Sequence, residues 1–335
     1  MVYWMTLALS WIAGRVPRRP RLWVSGVLGE VVYLAWVSKR RVTIANMAQV
    51  LGRPLHDRQV RAMARRTWRN YGRYISEFFW LPNTTVADLM RRLHDATPPP
   101  GWAGMLDHAR AGGRGVLVPT AHFGNWDAAG VVLGSHVPLH VIAETFADPR
   151  LNALVQSQRA ALGMTVVPME RATRGLLRVL QEGGTVATPV DRPLAEGQGV
   201  PIEFFGRRCH VPGGIAQLAL KTGAAVVPGF CWYDEAYSSR YYSYVASPIF
   251  PQTTGDRQAD TITLTQQIYD VIAETIRANP TQWYMFRPFW PQEPAAAAPD
   301  ATSSTVFAAV SSPLAGAQDG ETRASEPHQW GGGDA

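Results

Sequence analysis

The chain has 335 residues, 46% of them hydrophobic, and a formal net charge of +6. That is enough to bury a large core in one big domain, or in a domain with a helical appendage. Two cysteines, Cys209 and Cys231, exclude a disulfide framework and lack the spacing of a zinc site, so a reduced, cytosol-facing compartment is expected with both thiols as small core fillers.

The charge is unevenly spread. Residues 1–75 carry fourteen Arg/Lys against two acids, Glu30 and Asp57, a net +12 that leaves −6 for the remainder. The same end is rich in Trp, Leu and Val, but its first apolar run is short and its second is interrupted by Glu30. Neither reaches the roughly 20 apolar residues of a comfortable membrane span. No basic region precedes the first run, which disfavours a signal peptide. Helices lying in a membrane interface fit better, with Arg15, Arg18, Arg19 and Arg21 expected to meet anionic headgroups. Nucleic acid is not expected as a partner, because the charges flank Trp-rich apolar segments and no nucleic-acid-binding signature accompanies them. Further along, Trp68, Tyr71, Ile75, Phe78 and Phe79 share one helical face and Arg61, Arg65, Arg69 and Arg73 another. Such a helix can pack on the domain, present a solvated basic face, or meet lipid.

Thr97-Pro98-Pro99-Pro100-Gly101 is a stiff break that divides a basic, aromatic, membrane-associating region (1–96) from the rest of the chain. Beyond it, strands are expected at 116–119, 139–143, 165–168, 185–190, 202–205, 224–230 and 241–245. Helical runs fall around 127–133, 149–162, 174–181 and 215–222, with Gly163 and Gly223 where C-terminal caps belong. This alternation argues an α/β fold, a mixed, largely parallel sheet flanked by helices, over residues 97–293. A last helix near 260–278 precedes the aromatic cluster from Trp283 to Trp290, which reads as packing. Residues 294–335 are Ala, Ser, Gly and Pro with scattered charge, so a disordered tail is expected.

The most informative stretch is Val116-Leu-Val-Pro-Thr-Ala-His122-Phe-Gly-Asn-Trp-Asp127. It brings a histidine and a carboxylate off an apolar strand into a glycine-containing turn, at a strand's carboxyl end where α/β sheets place ligands. Eight histidines give roughly half a chance match to His-x4-acid. The spacing occurs once, at a strand-turn-helix junction, although a core histidine and a helix-start aspartate would produce the same letters.

The residues Ala121-His122-Phe123-Gly124-Asn125-Trp126-Asp127, Val190-Asp191-Arg192-Pro193-Leu194, Phe204-Phe205-Gly206 and Pro212-Gly213-Gly214 resemble, in that order, the bacterial lipid A late acyltransferases, and more closely the phosphatidylinositol mannoside acyltransferases of the same family. The likeness runs from about Trp4 to Trp290. It implies a glycerolipid-acyltransferase-like fold with an N-terminal membrane-docking helical region. The implied partners are membrane lipids, a glycolipid acceptor, and acyl-CoA or acyl carrier protein as donor substrate, with no further cofactor and no metal. It places the enzyme peripherally or monotopically on the cytoplasmic face of the inner membrane. It puts the catalytic histidine at His122, the motif acid at Asp127 and the acid that contacts the histidine at Asp191; Glu144 and Arg159 are carried over as supporting positions. Asp191, where Glu also occurs in the family, and Gly214 depart from the commonest patterns.

Chemically, an alcohol attacking a thioester needs a base, and imidazole suits that task near neutral pH. Asp127 and Asp191 compete to orient the ring; Asp191 is favoured, with Asp127 bracing the site through Arg159. Backbone N–H groups around Gly124, Asn125 and Trp126 at a helix start are candidate oxyanion donors, and Gly124-Asn125 is equally ordinary turn chemistry. Arg192 can hold a phosphate of the lipid acceptor or the donor's pantetheine arm, or pair with a neighbouring acid. Phe205 and Arg207 bring an apolar turn beside a cation, suited to an acyl chain meeting a phosphorylated carrier, or else to a strand-end core. No Gly-x-Ser-x-Gly elbow occurs, so direct transfer is expected rather than an acyl-enzyme. The alternatives are glycerophosphate or lysophosphatidate acylation, whose proteins usually carry a Pro-Glu-Gly-Thr-like block where this chain has Val190-Asp191-Arg192-Pro193, and a non-catalytic lipid-binding membrane protein, which needs no base-acid set.

Overall fold

In the computed structural model, which describes residues 2–143, 147–168, 172–234 and 240–291, the first part of the chain is helical: α1 (Val2–Arg15), α2 (Arg18–Ala35), α3 (Val37–Leu51), α4 (Arg58–Trp80) and α5 (Val86–Arg92). The Asp57 carboxylate accepts from the Gln59 amide and caps α4. Val60, Ala64, Thr67, Trp68 and Tyr74 form its buried face. α2 crosses α4 with backbones in contact: a Cβ on Gly29 would land on the Trp68 carbonyl, and one on Gly72 on the Ser25 carbonyl. Small residues are what allow so close an approach.

The arginines have two fates. Glu30 of α2 takes Arg65 at 2.5 Å and Arg69 at 2.7 Å, so much of the stripe on α4 is an interhelical pairing rather than a lipid-facing row. Arg18 and Arg21, expected at headgroups, turn inward instead. They meet Glu77, itself 1% exposed, at 3.3 and 2.9 Å, and the Tyr241 hydroxyl donates to the same carboxylate. Arg15 and Arg19 stay exposed. So do Trp4, Trp11, Trp23, Leu28, Leu34 and Trp36, a concentration of large apolar side chains on α1, α2 and the turn after them.

The α/β part comes next as β1 (Leu93–Asp95), α6 (Gly101–Arg110), β2 (Val116–Thr120), α7 (Trp126–Gly134), β3 (Leu139–Ala143), α8 (Pro149–Ala161), β4 (Met164–Pro168), α9 (Ala172–Gln181), β5 (Thr185–Pro189), β6 (Val200–Phe204), β7 (Arg207–Val211), α10 (Gly214–Thr222), β8 (Ala225–Val226), β9 (Gly229–Tyr233), β10 (Tyr241–Val245) and α11 (Arg257–Ala278). The central sheet is five-stranded and wholly parallel, in the order β4-β3-β5-β2-β8. Its strands are mostly apolar, as suits a parallel sheet covered by helices.

The expected single strand at 224–230 is broken. Pro228 has no N–H to give a ladder, and beyond it β9 leaves the parallel sheet to pair antiparallel with β10. β1 joins β10 on its other side, so the end of the helical region is woven into this second sheet. The β6–β7 hairpin turns through Phe205 (φ 52°) and Gly206 (φ 74°). It lacks the usual Asn-Gly signal of such a turn, so the sequence gives no expectation of β7. After α11 the chain returns through the core, with Trp283, Phe289 and Trp290 buried. The described residues form one compact unit. The tail from 294 lies outside them.

Candidate active site

Strand register builds the site. β2 and β5 are parallel neighbours with Thr120 opposite Pro189, so two residues beyond each strand His122 and Asp191 emerge side by side. His122 Nδ1 lies 2.7 Å from Asp191 Oδ1. The His122 backbone N–H donates to both carboxylate oxygens at 3.0 and 2.9 Å, and the Trp283 indole donates to Oδ2 at 2.9 Å. Asp191 is fully buried. Burial alone would raise its pKa, but His122 and these hydrogen bonds outweigh it and hold the carboxyl below its ordinary range. The stability this supplies is present above the unfolded value of about 4 and is lost as the pH falls through the lower folded value.

Asp127, on the first turn of α7, takes a different set of partners. Arg159 from α8 donates to its Oδ1 at 3.2 and 3.0 Å, and the buried Tyr74 hydroxyl of α4 donates to Oδ2 at 2.8 Å. Burial first, then the Asp127 charge, pushes the Tyr74 phenol well above its usual pKa, so it remains a donor. The two acids therefore divide: one holds the ring, the other ties α7, α8 and α4 together. We expect Asp191→Asn to lower turnover by about 10²-fold or more, since an amide does not fix the tautomer as the anion does. Asp127→Asn should cost about 1.5–3 kcal/mol of stability with a smaller loss of rate. Steady-state kinetics beside thermal melts check this, and the reverse ranking contradicts it.

The ring's other nitrogen, Nε2, faces a cavity of about 620 Å³. One wall is apolar, from Tyr71, Ile75 and Phe78 of α4, Val141, Ile142 and Met164 of the sheet, and Tyr284 and Phe286. Three guanidiniums line it: Arg159, paired with Asp127, and Arg192 and Arg287, with Arg192 Nη2 3.5 Å from Nε2. The Trp126 ring meets the imidazole edge-on at 5.3 Å.

Several expected residues stand elsewhere. The Gly124 and Asn125 amides donate to the carbonyls of Gln282 and Cys231, each at 2.8 Å, so neither is available to an oxyanion. Their role is to shape the turn. Gly124 sits at φ 58°, and a Cβ there would land on the Cys231 carbonyl. Gly124→Ala should therefore lose at least about 1–2 kcal/mol from the left-handed backbone alone, read as a lower melting temperature, with activity falling as His122 shifts. Phe205 is a core residue packed against Trp283 and Trp290, and Arg207 donates to the Pro291 carbonyl; neither lines the cavity. Glu144 lies outside the described residues.

Sequence reasoning misses Tyr74 and Trp283 as partners of the acids. Trp283 is 92 positions from Asp191, and no local pattern links them. Burial pushes both thiols up to about 12, so neither cysteine is a ready nucleophile. Among the described residues no group of three His, Cys, Asp or Glu is placed to hold a metal ion.

With this geometry in place, the similarity to known proteins defines the class. The model of the bacterial lipid A biosynthesis acyltransferase family matches residues 1–292. The phosphatidylinositol mannoside acyltransferase of Mycobacterium tuberculosis is 33% identical over 250 residues, covering 73% of this chain and 75% of that protein. The protein of the same name from Mycolicibacterium smegmatis is 32% identical over 251 residues, covering 73% and 77%. A 1-acyl-sn-glycerophosphate acyltransferase structure from Thermotoga maritima aligns at a TM-score of 0.34 and 14% identity over 80% of this chain and 100% of its own, too weak to carry an argument. The chain is an acyltransferase. It belongs to the bacterial lipid A biosynthesis acyltransferase family, as the ordered motifs implied.

Proposed function

We propose that this enzyme moves a fatty acyl group from an acyl thioester, acyl-CoA or acyl carrier protein, to a hydroxyl of a glycolipid, with His122 as general base and no acyl-enzyme. The observation that carries the reading is His122 Nε2 opening on a largely apolar cavity while Nδ1 is held by buried Asp191. With Nδ1–H donated to the carboxylate, Nε2 has a lone pair for the acceptor's proton. The hydroxyl oxygen bonds to the thioester carbon as its proton passes to Nε2, the carbon-sulfur bond breaks, and the thiolate leaves with that proton. The apolar wall takes the acyl chain. Arg192 and Arg287 supply positive charge for the developing oxyanion or for a phosphate of donor or acceptor.

The enzyme works from the cytoplasmic face of the membrane. No helix of the described residues is long and apolar enough to cross it. Contact is made by the exposed Trp4, Trp11, Trp23 and Trp36 with Leu28 and Leu34, side chains suited to the headgroup boundary. The names of the mycobacterial relatives favour a phosphatidylinositol mannoside as the acceptor class. Lipid mass spectrometry of a deletion strain tests the reading. A glycolipid should lose one acyl chain, regained with the wild-type gene and not with the His122→Ala gene. An unchanged glycolipid profile contradicts it.

A further inference from the structure

A second groove, of about 730 Å³, lies outside the active site between α2, α3 and the start of α4. Its walls include Leu34, Ile44 and Leu55, and its rim carries Arg40, Arg41 and Arg61. Tyr33 forms part of its floor. The Tyr33 residue is 6% exposed and lines the groove. Burial raises this phenol's pKa, and the charges of Arg40, Arg61 and Arg65 oppose that rise, with the Arg40 guanidinium 5.9 Å over the Tyr33 ring. Arg40 is partly engaged, donating to the Leu34 carbonyl at 2.9 Å. Nearby acids are committed elsewhere, Glu30 to Arg65 and Arg69, and Asp57 to Arg53. A tyrosine and three arginines line the groove, with no acid among the described residues that line it, a set complementary to an anion.

We infer that this groove is a lipid site distinct from the catalytic cavity, taking one anionic phospholipid. The lipid phosphate accepts from Tyr33 and lies between Arg41 and Arg61, and the upper acyl chain runs along Leu34, Ile44 and Leu55. A free inorganic anion has no use for apolar walls, and a neutral headgroup leaves the arginines uncompensated. Leu34 belongs both to the groove and to the exposed apolar set on α2, so the site opens where the N-terminal helices meet the bilayer under the proposed function, on which this inference rests. Along α4, Arg61 precedes Tyr71 of the catalytic cavity by ten residues, about 15 Å. An occupied groove therefore anchors the far end of the helix that walls the acyl site.

The test titrates full-length protein in neutral detergent with dihexanoylphosphatidylglycerol below its micelle concentration, followed by calorimetry. Saturable binding is expected, weakened at least about tenfold by Arg41→Ala/Arg61→Ala. Tyr33→Phe should weaken it several-fold with no change in melting temperature. Dihexanoylphosphatidylcholine should bind at least about tenfold more weakly, and equimolar inorganic phosphate should not displace the phosphatidylglycerol. Equal affinity for the two lipids, unaltered binding by the double variant, or displacement by inorganic phosphate overturns the proposal. Acyl transfer by the same double variant, assayed in detergent, separates the two readings. Retained transfer beside unaltered lipid binding removes the groove site alone, and a wild-type protein that binds the lipid but transfers no acyl group removes the proposed function alone.

Discussion

Replacing His122 with alanine should lower acyl transfer by about 10²–10⁴-fold, the range typical of a lost general base. The fold should survive. The backbone amide of residue 122 and the Trp283 indole remain to hold the buried Asp191 carboxylate, so the variant removes the ring without stranding its partner. The ring is 22% exposed and meets Trp126 edge-on, so little packing is lost. Kinetics beside a thermal melt check both halves. A folded variant turning over near the wild-type rate would remove His122 from the chemistry.

The largest stability effect is expected at Glu77, far from any proton transfer. This carboxylate is 1% exposed and joins Arg18 and Arg21 of α2 to Tyr241 of β10. Glu77→Ala leaves two largely buried guanidiniums without their counter-charge, a change worth about 3–5 kcal/mol. At about 2 °C per kcal/mol for a large domain, the melting temperature should fall by at least about 6 °C. Burial lowers the Arg21 pKa despite Glu77, a sign of how little this guanidinium gains from water. Replacing Glu77, Arg18 and Arg21 together with apolar residues of similar volume should recover much of the loss, because an unpaired buried charge is worse than none. A melting temperature unchanged in Glu77→Ala would mean that water reaches the cluster.

The same cluster marks a limit of reading the chain from its letters. Basic residues among Trp and Leu on a short helix have the same pattern whether they face lipid phosphate or a carboxylate nearly sixty positions away. Arg18 and Arg21 do the second, Arg15 and Arg19 stay exposed, and no local signal separates them. His122 and Asp127 are legible because one contiguous stretch writes strand, turn and helix start in order. Asp191 is legible because it comes after another apolar strand, and parallel register brings equivalent strand ends together. Gly124 and Asn125 are recognisable as a turn, but the direction of their amides depends on Cys231 and Gln282 across the fold. Phe205 looks like a ligand contact because an aromatic residue beside Gly-Arg-Arg suggests a surface. Its positive φ instead closes a hairpin whose ring points into the core.

The proposed reaction is direct acyl transfer from a thioester to a glycolipid hydroxyl by His122. It is tested most directly by following thiol release from acyl-CoA, and separately from acyl carrier protein, by the purified enzyme with and without a phosphatidylinositol mannoside, with intact-mass measurement of lipid and protein. Thiol release should require the acceptor and His122, the lipid should gain one acyl ester, and the protein mass should not change. Rapid thiol release without acceptor, leaving the acyl group on the protein, or equal turnover by His122→Ala, would contradict direct transfer by His122.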